Sequence, residues 1–167
     1  KNLRTNNLLN ETIEKTTGSV VFANDNQTIF YGKKDPQTLR AYQIYIHKIG
    51  SDQSEDILIF EEKDETFSCT VYKSKSNKYI IINSSSTVSD EYRLIPADNP
   101  LDEPIIFQRR ERGLEYSIYH QNDKFYIVTN KDHKNFSVKF CFEESTEKNN
   151  WKDIIPGRNE VLIDRET

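Results

Sequence analysis

Few residues in this sequence have the types and spacings that enzyme chemistry requires. A nucleophile elbow needs the pattern Gly-x-Ser-x-Gly, because its serine sits on a strained turn that tolerates only small neighbours. A phosphate-binding loop likewise needs several glycines close together. The chain has five glycines, which neither flank a serine nor cluster: Gly18, Gly32, Gly50, Gly113 and Gly157. The sequence therefore predicts no catalytic nucleophile of the hydrolase type.

The histidines and cysteines also lack the spacings of a metal or cofactor site. His47, His120 and His133 show no zinc-ligand spacing, and we interpret them as solvated turn residues. Cys69 and Cys141 are 72 residues apart and each lies within a predicted strand. This favours two buried free thiols in a cytosolic protein over a disulfide. We therefore predict no catalytic, cofactor-binding or metal-binding residue, and no cofactor.

Two charged segments are the remaining candidates for a functional surface. Glu61–Glu65 reads Glu-Glu-Lys-Asp-Glu, and Arg109–Arg112 reads Arg-Arg-Glu-Arg. One interpretation is a pair of solvated loops in weak mutual attraction, because exposed ion pairs contribute about 0–1 kcal/mol. The other is a rim that docks another domain or steers charged ligands. The choice depends on where the surrounding strands place the two segments.

A motif that occurs three times indicates how those strands are arranged. Each copy is a short polar turn followed by an apolar strand, and equivalent positions are Ile29, Tyr79 and Phe125, 50 and 46 residues apart. A period of roughly 40–50 residues built from short strands is typical of β-propeller blades. In the middle copy, Tyr79–Ile82 is apolar at every position. Such a strand is expected to pack against a neighbour on both faces.

The fold class predicted from this repeat is all-β: a partial β-propeller of about three four-stranded antiparallel blades plus the edges of two more. The predicted divisions of residues 1–167 are the end of a preceding blade (1–18), three blades (19–61, 67–108 and 115–155) and the start of a next blade (160–167) with a strand at Glu160–Asp164. Connections alternate between the two rims of a blade. This alternation places Glu61–Glu65 and Arg109–Arg112 side by side on one rim.

Composition restricts the partners and the compartment. The net charge of −4 argues against binding to nucleic acid or to an anionic membrane. Because no stretch approaches the roughly 18 apolar residues of a membrane-spanning helix, we expect no membrane partner and a cytoplasmic protein. The sequence contains no methionine and begins at Lys1, which indicates an internal piece of a longer protein.

Several runs resemble the propeller domain of the oligopeptidase B (protease II) family, which belongs to the prolyl oligopeptidase group. They keep that family's order and spacing from about residue 20 to residue 164. The runs in the first half are Phe30–Tyr31, Lys34–Arg40, Tyr42–Gln43 and Phe60–Phe67. Those in the second half are Arg109–Arg110, Glu115–Tyr116, Phe125–Ile127, Thr129–Asn130, Lys134–Phe136, and Trp151 with Ile155–Pro156.

The resemblance implies a propeller that gates access to an α/β-hydrolase catalytic domain of the same parent chain. The serine, aspartate and histidine of that domain would lie C-terminal to these residues, so this chain would carry no catalytic residue of its own. The parent would be a serine peptidase that cleaves short basic peptides after arginine or lysine. An alternative is a stand-alone propeller-type scaffold for protein interactions. Because cut ends expose blade faces, we also expect the isolated piece to self-associate.

Overall fold

The computed structural model describes residues 4–9 and 11–164, which form three four-stranded antiparallel sheets. Blade one consists of β1 (Thr16–Phe22), β2 (Thr28–Lys34), β3 (Ala41–Lys48) and β4 (Ile57–Glu61). Blade two consists of β5 (Ser68–Lys73), β6 (Tyr79–Ser85), β7 (Asp90–Pro96) and β8 (Ile105–Gln108). Blade three consists of β9 (Tyr116–Gln121), β10 (Lys124–Thr129), β11 (Ser137–Phe142) and β12 (Lys152–Ile155). The predicted all-β fold with four-stranded blades is therefore confirmed.

Helical structure is confined to two short segments of the described residues. The 3-10 helices Gln53–Glu55 and Lys148–Asn150 each contain three residues and lie in the connections between the third and fourth strands of blades one and three. Within the same part of the chain, no helix is long and apolar enough to cross a membrane.

An asparagine determines the tight turn at the start of each blade. Asn26, Asn77 and Asn122 adopt positive φ values of 55°, 60° and 55° between the first two strands of their blades. Asparagine tolerates this left-handed conformation better than most residues, and tight hairpin turns often require it. In blade one, the Asp25 carboxylate also accepts hydrogen bonds from the backbone amides of Gln27 and Thr28, both at 2.9 Å. The predicted polar turn is thus present in all three copies.

The apolar core lies between the blades. The cluster between blades one and two includes Phe30, Ile44, Ile46, Cys69 and Val71, and the cluster between blades two and three includes Leu94, Phe107, Tyr116, Phe125 and Trp151. In β6, Ile80 and Ile82 belong to the first cluster and Ile81 to the second, and all three side chains are fully buried. The expectation that β6 packs on both faces is confirmed.

The structure differs from the predicted divisions at both ends. Thr16 of β1 pairs with Lys33 of β2, so blade one begins before Gly18 and includes residues assigned above to a preceding blade. Outside β1, the described residues of that segment, 4–9 and 11–15, form no strand. Residues 1–3 and 10 lie outside the described residues. Because β2 can pair with β1 as far as Lys33, β1 extends towards the N-terminus beyond its own apolar residues.

The strand predicted at Glu160–Asp164 is also wrong. Arg158 and Val161 form an isolated bridge, and the amide of Ile163 donates to the Asn135 carbonyl at 3.0 Å. The alternating apolar residues Val161 and Ile163 suit a strand, but a ladder requires a paired neighbour along its length. Residues 165–167 of this predicted segment lie outside the described residues.

Connections alternate between two rims, as predicted. One rim, which we call the charged rim, carries the joints between blades at residues 62–67 and 109–115. It also carries the loops 35–40, 86–89 and 130–136. The opposite rim carries the turns that hold Asn26, Asn77 and Asn122. The first strands of adjacent blades converge, since Ser19 Oγ of β1 donates to the Val71 carbonyl of β5 at 2.7 Å. These first strands therefore form the inner edge of the array.

Candidate functional site

Arg110 joins the two charged segments at the charged rim. Its guanidinium donates from Nη2 to Oε2 of Glu62 at 2.6 Å and from Nη1 to Oε1 at 3.3 Å. Nη2 also lies 3.1 Å from Oε1 of Glu91, and the Arg110 amide donates to Oε2 of Glu91 at 2.9 Å. One arginine therefore binds a carboxylate from the joint before blade two and another from β7. The predicted adjacency of the two segments is confirmed.

Both carboxylates of this cluster are buried. Only 4% of Glu62 and 4% of Glu91 is exposed. Burial alone would raise the pKa of each carboxyl group, but the hydrogen bonds from Arg110 and from backbone amides outweigh it and lower the pKa of both. Burial would also lower the pKa of Arg110, and the two carboxylates raise it instead. Both carboxylates are therefore ionised and paired with Arg110, and the interpretation as solvated loops is wrong for Glu62 and Arg110.

Aromatic rings and a second arginine hold the cluster in place. The Arg110 guanidinium lies 4.0 Å from the centre of the Phe67 ring, and that of Arg93 lies 4.4 Å from the Phe60 ring. Arg93 also donates to Glu91 at 2.7 Å. Cations over aromatic faces are stabilised by the ring quadrupole, most strongly where water is excluded. Charge pairing and ring contacts thus fix the same part of the charged rim.

Arg40 fixes the joint between blades one and two from the other side. Its Nη1 donates to the carbonyls of Glu62, Asp64 and Phe67 at 3.2, 3.3 and 2.8 Å. Three carbonyls of one loop on one guanidinium group leave that loop little conformational freedom. Beside the joint, a cleft of about 400 Å³ opens at the surface, lined by Asp64, Thr66, Phe67, Ser86–Ser89 and Arg110–Arg112. The exposed side of the charged rim is therefore polar and preorganised, which suits contact with a second domain.

His47 is not the solvated turn residue that we predicted. Only 1% of it is exposed, and it lies on the outer face of blade one, away from blade two. Its Nδ1 lies 2.7 Å from Oδ1 of Asp56, and its Nε2 contacts the Glu11 carboxylate. Burial would lower the pKa of His47, but the bonds to Glu11 and Asp56 raise it. Because both ring nitrogens face carboxylates, the protonated form of His47 is favoured.

His120 is also buried, and it links blades two and three. Its Nδ1 lies 2.7 Å from Ser76 Oγ in the turn of blade two, and its Nε2 lies 2.6 Å from Oε1 of Glu143 in blade three. Lys78 of blade two completes the group with an ion pair to Glu143 at 2.5 Å. The order serine, histidine, carboxylate resembles a hydrolytic triad. Because Lys78 neutralises the carboxylate, the arrangement suits a link between blades better than activation of Ser76.

The signal that both histidines are buried is present in the sequence as strand alternation. His47 follows Tyr45 at a spacing of two, and His120 follows Ile118 at the same spacing, so each histidine shares a face with an apolar neighbour. His133, by contrast, is half-buried in a loop of the charged rim. The carboxylate partners of His47 and His120 are Glu11 and Glu143. They come from distant parts of the chain and could not be inferred from local pattern.

The cysteines are free and buried, as predicted. Burial raises the pKa of the Cys69 and Cys141 thiols to about 12 in each case, so neither is a reactive thiolate near neutral pH. Within the described residues, no group of three histidine, cysteine, aspartate or glutamate side chains is placed to hold a metal ion.

Four-stranded meander blades that pack face to face define the class of this chain: it is part of a β-propeller. A family model described as "Prolyl oligopeptidase, N-terminal beta-propeller domain" matches residues 1–167. The chain belongs to this family.

Similar proteins agree with this assignment. The chain is 36% identical to "Dipeptidyl aminopeptidase BI" of Pseudoxanthomonas mexicana over 98% of its own length and 23% of that protein. It is 33% identical to "Protease 2" of Moraxella lacunata over 98% of its length and 25% of that protein. The structure of oligopeptidase B from Trypanosoma brucei with covalently bound antipain superposes with a TM-score of 0.85 at 30% identity, over 94% of this chain and 22% of that one. The chain therefore spans about a quarter of the length of these relatives, whose names describe an aminopeptidase, a protease and an oligopeptidase.

Proposed function

We propose that this chain is the substrate-gating propeller segment of an oligopeptidase B-like serine peptidase that cleaves short peptides after arginine or lysine. The observation that carries the proposal is the match of all 167 residues to the propeller family, together with relatives named as peptidases. In this role the segment contributes no catalytic group. It acts in the cytoplasm and shares a parent chain with an α/β-hydrolase domain.

The way in which the blades are held together supports a gating role. The two apolar clusters and the Arg110 cluster seal adjacent blades, so a substrate must enter through an opening of limited size rather than between blades. A chain narrow enough to pass an opening of this kind is a short or unfolded peptide. The preorganised charged rim supplies the surface on which the catalytic domain docks.

The proposal is tested by comparing the 167-residue chain with the full-length protein that contains it. Both are assayed with short reporter peptides that differ only at the residue before the scissile bond: arginine, lysine, proline or alanine. We expect turnover of the arginine and lysine peptides by the full-length protein and none by the isolated chain.

The other outcomes of this assay separate the alternatives. Release of dipeptides from the amino terminus, in line with the name of the relative from Pseudoxanthomonas mexicana, would replace the proposed specificity and retain the gating role. Absence of any turnover by the full-length protein would favour the interaction scaffold. Turnover that copurifies with the isolated 167-residue chain would contradict the assignment of a non-catalytic segment.

A further inference from the structure

A cleft of about 490 Å³ opens between blades two and three near the opposite rim, and we refer to it as the inner cleft. It is lined by Tyr72–Lys75 at the end of β5, by Ile81 of β6, and by Ile118–Gln121 of β9. Its position between the first strands of two blades places it on the inner edge of the array. The volume falls in the range of about 300–1,000 Å³ that is typical of small-molecule and peptide-residue pockets.

The equivalent position between blades one and two is occupied. Asn26 of blade one and Asn77 of blade two occupy equivalent positions in their turns. Asn24 and Lys75, each two residues earlier, are therefore equivalent as well. Asn24 donates to the Asn77 carbonyl at 3.0 Å and to Asp98 at 2.7 Å, and it accepts from Lys73 at 2.8 Å. Lys75 instead is exposed to solvent. The replacement of a bridging asparagine by lysine accompanies the opening of the inner cleft.

The wall of the inner cleft is apolar at its base and cationic at its mouth. Ile81 and Ile118 are fully buried and form the base, with the rings of Tyr72 and Tyr119 beside them. Lys73 and Lys75 are the lysines of its lining, and the ring nitrogens of His120, which also lines it, are bonded to Ser76 and Glu143. The lining contains no carboxylate, although the whole chain has a net charge of −4. This local excess of positive charge selects a ligand that carries a carboxylate.

We propose that the inner cleft binds the carboxy-terminal residue of a short peptide, with an aromatic or branched side chain. The side chain packs between the half-buried Tyr72 and Tyr119, above the buried Ile81 and Ile118, and the terminal carboxylate pairs with Lys75 at the mouth. This binding site is formed by residues of the propeller, and the proposal does not depend on which bond a peptidase cleaves.

The test uses the full-length protein and two probes, N-acetyl-phenylalanine and its carboxamide, with binding measured by isothermal titration calorimetry. The acid is expected to bind and the amide to bind about fivefold more weakly, because an exposed ion pair contributes up to about 1 kcal/mol and 1.4 kcal/mol is tenfold. Lys75→Ala is expected to abolish the difference between the two probes. Lys63→Ala, which removes another exposed lysine, from the charged rim, serves as the matched control and leaves binding unchanged.

A second measurement locates the site independently of Lys75. Methyl NMR signals of Ile81 and Ile118 are expected to shift on addition of the acid, and those of Ile105 on β8 are not. Gln121→Trp, which fills the mouth with a ring, is expected to remove both the calorimetric signal and the methyl shifts. Any of three outcomes would overturn the proposal: equal binding of the acid and the amide, methyl shifts spread over other isoleucines, or no binding of either probe.

Discussion

At the scale of single residues, the main feature of the charged rim is the Arg110 cluster, which consists of Arg110, Glu62, Glu91 and Arg93. The sequence alone indicates that Glu61–Glu65 and Arg109–Arg112 lie side by side, since this follows from the alternation of connections. It does not indicate which charges are buried, because an exposed and a buried glutamate look the same in a charged run. Glu62 differs from its neighbours in that Arg110, the Asp64 amide and the wall of blade two surround its carboxylate.

Replacement of Arg110 by alanine tests this burial. Arg110→Ala leaves the buried Glu62 carboxylate without a cation, whereas Glu91 retains Arg93, and we expect the free energy of unfolding to fall by about 3 kcal/mol. The neighbouring Arg112→Ala is the control, and its effect is expected to stay within about 0.5 kcal/mol because the side chain is exposed. Urea denaturation of both variants and the wild type measures the difference. Equal losses for the two arginines would show that the cluster is solvated.

His47 carries a pH dependence whose sign follows from its partners. The carboxylates of Glu11 and Asp56 raise the pKa of the folded state above the ordinary value of 6.5, so their stabilisation is complete below that pH and is lost as the pH rises through the folded pKa. We expect the unfolding temperature to fall as the pH rises above about 6.5 and His47→Gln to reduce this slope. His133→Gln should retain the wild-type slope. The same slope in wild type and His47→Gln would contradict the imidazolium between two carboxylates.

At the scale of elements, β6 illustrates what periodicity can predict. Ile80, Ile81 and Ile82 form an apolar run without alternation, and only a strand packed on both faces accommodates such a run. The ends of the chain illustrate where periodicity fails. Thr16 joins β1 because Lys33 is available as a partner, whereas Val161 and Ile163 alternate correctly but lack a ladder. The extent of a strand depends on its neighbour, which local sequence does not contain.

Truncation of Ile81 measures the contribution of the second apolar cluster. Ile81→Ala removes a fully buried side chain between blades two and three, and we expect it to cost about 2–5 kcal/mol of unfolding free energy. Ile105→Ala on β8 provides the matched control, since 66% of that side chain is exposed. Denaturant titration measures the loss of unfolding free energy in each variant. Similar losses for Ile81→Ala and Ile105→Ala would show that β6 is peripheral.

At the scale of the whole molecule, the two end faces of the array differ. On the outer face of blade one, Glu11 reaches His47, and the Glu14 amide donates to Gln53 at 3.0 Å, so residues 11–14 cover part of that face. Phe22 on the same face is still 42% exposed. On blade three, Phe140 and Phe142 lie on the face opposite the core, and Phe142 is 39% exposed. Apolar surface of this kind normally has a partner.

We expect the isolated chain to self-associate through these end faces. Phe142→Glu places a charge on the outer face of blade three and should shift the chain towards the monomer. Val88→Glu lies on the charged rim, away from both end faces, and should leave the degree of association unchanged. Light scattering across a concentration series distinguishes the two variants. A monomeric wild type at high concentration would show that the end faces do not pair.

The most direct test of the gating role compares one cleavage sequence in two settings. An arginine-containing peptide is assayed free in solution and as a surface loop of a small folded domain, with the full-length protein as enzyme and trypsin as a control that cleaves both. If the propeller gates access, the ratio of kcat/KM for the free peptide to that for the folded substrate is much larger for the full-length protein than for trypsin. Equal ratios for the two enzymes would contradict the assignment of this chain as a substrate gate.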